Sequence, residues 1–84
     1  MNVQEVEKIQ MELLGRMWEE NQNKIYGILE GNYNQGESLG KYDIEQINKL
    51  IAINQYIENI QESINDGEWN EDLWNEENKK DEEE

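Results

Sequence analysis

Two serines and a dense population of carboxylates are the side chains on which any reaction chemistry of this 84-residue chain would have to rest. Nucleophilic catalysis requires a hydroxyl or thiol beside a base that accepts its proton. The chain has no Cys and no His, and its aliphatic hydroxyls are Ser38, in a glycine-rich stretch near Lys41, and Ser63. A serine–lysine arrangement is the one formal option, and both serines read as turn or surface residues. Carboxylates work as acid and base when a pair is held in contrasting, partly dry surroundings. Here they fall in hydrophilic stretches and read as solvated. A calcium loop needs oxygen ligands around a tight turn, and no Asp-x-Asp-x-Asp-Gly pattern occurs. Zinc loses its usual Cys and His ligands for the same compositional reason. Gly31, Gly36 and Gly40 are not followed by the Gly-Lys-Ser/Thr of a phosphate loop. The expectation is a protein that binds and does not catalyse, with no cofactor and no metal.

What it binds is constrained by charge. Twenty-one acidic against seven basic side chains give a formal net charge of -14. Such a chain repels nucleic-acid phosphate and anionic lipid unless a basic patch overrides the field, and the basic residues are scattered. No direct nucleic acid and no membrane are expected as partners; a basic protein surface is. Residues 66–84 hold ten acids and two Lys, a net -8, which leaves -6 for the first 65 residues. Fully helical, that stretch would span about 28 Å, with one net charge every roughly 3.6 Å, close to the roughly 3.4 Å phosphate repeat of one DNA strand.

The same stretch interleaves large apolar groups with its acids, and a merely solubilising tail has no use for them. Glu68, Trp69, Glu71, Asp72, Leu73, Trp74, Glu76 and Glu77 are therefore the candidate partner-binding residues. In that role the acids steer the encounter and the aromatics anchor it. A second use stays open: Trp69, Leu73 and Trp74 fold back over the end of a helical hairpin, because so short a chain needs its large apolar groups for a core.

The elements that would position these residues are helices. Asn2 and Glu5 form a capping box, with Met1 and Val6 placed to close a hydrophobic staple, so a helix begins at about residue 3. Val6, Ile9, Leu13 and Met17, widened by Leu14 and Trp18, give it an apolar face to about Glu20. The pattern thins at Asn21, Gln22 and Asn23 and resumes at Ile25, Ile28 and Leu29, so one helix to Glu30 and two shorter ones are both tenable. Residues 31–42 are loop chemistry. Asp43 with Gln46 makes a second capping box, and Tyr42 with Ile47 a second staple. The second helix carries an Ile-rich seam of Ile47, Leu50, Ile53, Ile57, Ile60 and Ile64, with Ile44 a turn earlier, and stops at Asp66-Gly67. Asn70 is placed to cap a short third helix, with Trp69 stapled to Trp74. Past about Asn78 the composition predicts disorder. The fold class is all-α: a helical hairpin or three-helix bundle over residues 1–67, then an acidic Trp-containing segment over 68–84.

In size, charge and composition the chain is similar to phage-encoded DNA mimics, including anti-restriction and anti-CRISPR proteins. Ile, Asn, Lys and Tyr make 32 residues where Gly, Ala, Arg and Pro make 8, a bias that suits an AT-rich phage or mobile-element source. The resemblance implies an inhibitor that occupies the basic nucleic-acid-binding surface of a larger protein. The alternative is a helical assembly or adaptor protein, antitoxin-like or a virion-assembly subunit, that works through the Ile-rich seam. The shortage of core allows for a homodimer. The absence of any long apolar run, of a secretory pattern and of Cys suits the cytoplasm, that of the host if the chain is phage-encoded.

Overall fold

Asn2 starts the first helix as its sequence position requires: in an extended conformation, its side-chain oxygen accepts the Glu5 amide at 2.9 Å. A computed structural model describes residues 1–36 and 38–83, with side chains other than those of Asn34 and residues 80–83. Among them the chain forms three helices, α1 (Val3–Asn34), α2 (Lys41–Asn65) and α3 (Glu71–Glu83). The staple expected beside Asn2 does not close, since Met1 is 86% exposed.

α1 runs unbroken through the polar stretch at Asn21 and through Gly27 and Gly31, four residues beyond Glu30. The apolar pattern thins at Asn21 because the seam itself is polar there, with Asn21 Nδ2 donating to Oδ1 of the buried Asn54 at 2.9 Å. Asn54 Nδ2 in turn donates to the Trp18 carbonyl at 3.2 Å. The last turn of α1 is held in the same way: Asn32 Nδ2 donates to the Ile28 carbonyl at 2.8 Å and to Asp43 of α2 at 3.2 Å. The tertiary bond from Asn32 to Asp43 works here against the roughly 1 kcal/mol that each helical glycine costs.

α2 begins earlier than its capping pattern predicts. Gly40 is the N-cap, with no side-chain cap bond, and the Ile44 amide donates to its carbonyl at 3.0 Å. Asp43 does not cap because it lies in the first turn facing α1, where its carboxylate accepts from Asn32. Tyr42, expected in the staple, is 71% exposed. The expected stop is present. Gly67 adopts φ +79, and the Gly67 and Glu68 amides donate to the carbonyls of Ile64 and Ser63 at 3.0 Å each, a complete Schellman end.

The bonds Asn32–Asp43, Asn21–Asn54 and Trp18–Glu58 fix an antiparallel pairing in which residue numbers across the two helices sum to about 75. The strip of α2 facing α1 is Asp43, Ile47, Leu50, Asn54, Ile57, Gln61 and Ile64, an unbroken alternation of four and three, as in a coiled coil. Ile57 and Ile64 are buried, whereas Ile44, Ile51 and Ile53 are exposed. The expected seam agrees with this strip at Ile47, Leu50, Ile57 and Ile64 and departs from it at Ile44, Ile53 and Ile60, which stand beside Asp43, Asn54 and Gln61. α3 then continues the second arm along the first turns of α1. The result is a rod of 68 × 18 × 14 Å, two helices thick. Its buried apolar residues are Val3, Ile25, Ile57 and Ile64. The helix of α3 reaches Glu83, so the disorder expected past Asn78 falls mostly on positions whose side chains, like the whole of Glu84, lie outside the described residues.

Two glycines give opposite expectations for one substitution. Gly67→Ala puts a Cβ on a left-handed residue and lowers stability by about 1–2 kcal/mol. Gly27→Ala, in mid-helix with no atom within 4 Å of the added carbon, raises it by roughly 0.5–1 kcal/mol. Asn54→Ala strands the Asn21 side-chain amide and removes the second donor to the Trp18 carbonyl, which keeps its helical partner, and lowers stability by about 1–3 kcal/mol. Urea unfolding followed by circular dichroism measures all three.

Candidate functional site

The acidic C-terminal segment is held to the body of the rod by amides. Asn70 stands at the start of α3, where the Trp74 amide donates to its carbonyl at 3.0 Å. Its side chain does not cap the helix, as its position suggested, but points into the contact with α1 and is buried. There Asn70 and Gln10 exchange two hydrogen bonds: Gln10 Nε2 donates to Asn70 Oδ1 at 3.0 Å, and Asn70 Nδ2 donates to Gln10 Oε1 at 2.8 Å. One turn on, Trp74 Nε1 donates to Glu7 Oε2 at 3.2 Å, an oxygen that also accepts from Asn70 at 3.3 Å. The last clasp is made by Glu77, whose carboxylate accepts the backbone amide of buried Val3 at 3.3 Å. That amide is one of the unpaired donors of the α1 N-terminus, where negative charge is favoured. Asn70, Trp74 and Glu77 follow spacings of four and three, so α3 offers one face to α1 as α2 does.

The eight candidate residues therefore divide. Trp74 and Glu77 are half-buried and build the contact with α1, which is the fold-back use of the aromatics realised at one residue. Glu68, Glu71, Asp72 and Glu76 are exposed, and so are Trp69 and Leu73, at 49% and 40%. Residues 68–73 border one shallow concavity of about 330 Å³. Leu73, Glu76 and Glu77 share another, of about 400 Å³, with Met1, Asn2 and Val3. Exposed acids thus flank two exposed apolar side chains, Trp69 in the turn before α3 and Leu73 in its first turn.

Charge is also divided across the rod. An α-helix turns about 100° per residue, so Glu12 and Glu19 on α1 lie on the face turned away from α2, on the side where the Trp18 indole meets Glu58 at 3.3 Å. Glu62 follows Glu58 on that flank of α2. Arg16, Lys24 and Lys49 fall toward the opposite flank. Ser38 and Lys41 are both exposed, and no group of three acidic side chains among the described residues is arranged to hold a metal ion. Among the described residues no helix is long and apolar enough to cross a membrane. Compared with known proteins, the chain matches no family model, no curated protein and no solved structure.

The residues missed by sequence reasoning are the clasps: Glu7, Gln10, Asn21 and Asn54. For Asn54 the signal was the strict four-three alternation of α2, which passes through it and marks it as a facing residue; Glu7, Gln10 and Asn21 lie on α1, where that signal does not reach. For Trp74→Ala the expectation is that amide hydrogen exchange in α3 rises toward solvent rates while the middle of α2 keeps its protection. Equal loss of protection in both helices would show that α3 is not a separately held arm.

Proposed function

We propose that this protein is a small acidic inhibitor that binds and blocks a basic, nucleic-acid-binding surface of a larger protein, a DNA mimic of the anti-CRISPR or anti-restriction type encoded by a phage or mobile element. The observation that carries this proposal is the docked α3 with the turn before it, where Glu68, Glu71, Asp72 and Glu76 are exposed beside exposed Trp69 and Leu73. Acids presented by a docked arm lose less conformational freedom on binding than acids on a free tail. Dimensions support it as well. The rod is 68 Å long and the chain's net charge is -14, an average of one net charge per roughly 4.9 Å of length, the same order as a phosphate backbone. One strand of DNA carries a phosphate every roughly 3.4 Å.

The role is one of occupancy: the acids take the place of phosphates on the partner's Arg and Lys side chains, and Trp69 and Leu73 add contact area that phosphate lacks. An adaptor role through the Ile-rich seam has less support, since Ile57 and Ile64 are buried within the chain.

The test is capture from a lysate containing nucleic-acid-binding enzymes, followed by titration of the captured protein with nucleic acid and with salt. The expected partner is basic, is displaced by nucleic acid, and loses affinity as salt rises. The quadruple variant Glu68→Gln, Glu71→Gln, Asp72→Asn, Glu76→Gln weakens capture by tenfold or more and flattens the salt dependence. Trp69→Ala weakens it without changing that dependence. Capture of neutral or acidic proteins alone, or affinity indifferent to salt, overturns the proposal.

A further inference from the structure

One flank of the rod is apolar where the other is acidic. Ile9, Leu13 and Met17 fall in line on α1, about 90° round from the strip that faces α2, and each is about half exposed. Ile53, Tyr56 and Ile60 run down the same flank of α2. An open apolar groove of about 220 Å³ joins the two helices here, between Leu13 and Leu14 on one side and Ile60 and Ile64 on the other, with Trp69 at its end. The ridge that sequence periodicity marks as the core face of the first helix is thus outside the core.

We infer that this flank is covered by a second copy of the same chain, giving a symmetric four-helix dimer whose hidden face is centred on Leu13 and Ile53. Area favours it. The chain exposes 6736 Å², whereas a compact monomer of 10.1 kDa exposes about 5,300 Å². The difference, roughly 1,400 Å², exceeds the roughly 800 Å² per partner that a standard interface hides. A rod 14 Å deep encloses only a thin core, Val3, Ile25, Ile57 and Ile64, and a second layer thickens it.

Charge selects the second copy over a basic partner for this flank. The charged residues on it or bordering it, Arg16, Lys24, Lys49 and Glu20, are net basic, whereas Glu12, Glu19, Glu58 and Glu62, with Lys8 among them, lie toward the other. Two chains of net charge -14 repel, yet pairing through the apolar flanks turns those four acids of each copy outward and keeps them furthest apart. The acidic flanks then point away from each other on the outside of the dimer. This inference does not rest on the inhibitor proposal.

Sedimentation equilibrium on the full chain tests it. The expected mass is twice 10.1 kDa, with dissociation on dilution, and association strengthens as salt screens the repulsion, opposite in sign to the salt effect expected for a basic partner. Leu13→Glu and Ile53→Glu, at half-exposed positions, each weaken the dimer tenfold or more with helicity retained. Tyr26→Glu, on the other flank, leaves it intact. Should a Glu variant fail to fold, methyl NMR of the wild-type chain across a dilution series gives the same answer. Signals of Ile9, Leu13, Met17 and Ile53 shift with concentration, and those of Leu29 and Ile44 do not. A 10.1 kDa species at every concentration, or shifts confined to Leu29 and Ile44, overturns the inference.

Discussion

The buried amide of Asn54 donates to a carbonyl of α1 and accepts from Asn21, and this exchange holds the two long helices in one register. Two helices side by side cover only one strip of each other, so there is no surrounding core to fix their sliding. A purely apolar strip of Ile and Leu would pair nearly as well one turn away. A buried Asn does not, because a shift leaves its donors and acceptor unpaired at about 1–3 kcal/mol. The bonds at Asn32 and Asn70 repeat the device near the two ends of α1.

That register determines where the acids lie. With Asn21 opposite Asn54, the end of α2 reaches only as far as the second or third turn of α1, and its Schellman end redirects the chain into α3 along the remaining turns. Five hydrogen bonds, made by Asn70, Trp74 and Glu77, then fix α3, and the exposed carboxylates are presented at set positions along the rod. The acidic segment therefore belongs structurally to the hairpin, although composition sets it apart.

Much of this was legible in the sequence. The all-α class, the start of α1 at Asn2, the stop at Gly67 and a helix after Asn70 follow from local chemistry that acts within a turn or two. The uses of Asp43 and Asn70 were not legible as caps or otherwise, because each side chain can satisfy either its own helix or a neighbouring one. The choice depends on which element lies across from it, and that is a tertiary fact. The apolar ridge of Ile9, Leu13 and Met17 misled for a related reason: periodicity shows that a face is apolar but not which neighbour covers it. At Trp69 and Trp74 both uses of an aromatic occur, one exposed beside the acids and one held against Glu7.

The clasps have a consequence for how the molecule ages. Asn is among the thermolabile residues, and its slow hydrolysis converts an amide into a carboxylate. At Asn21, Asn54 or Asn70 that single event removes an N–H donor from a helix contact and adds one more negative charge to a chain already at -14. Elsewhere on the surface the same event would add only a charge. At a clasp the event would loosen the register while leaving the helices' own backbone bonds in place, and it would leave a chain slightly more acidic than the one that was made.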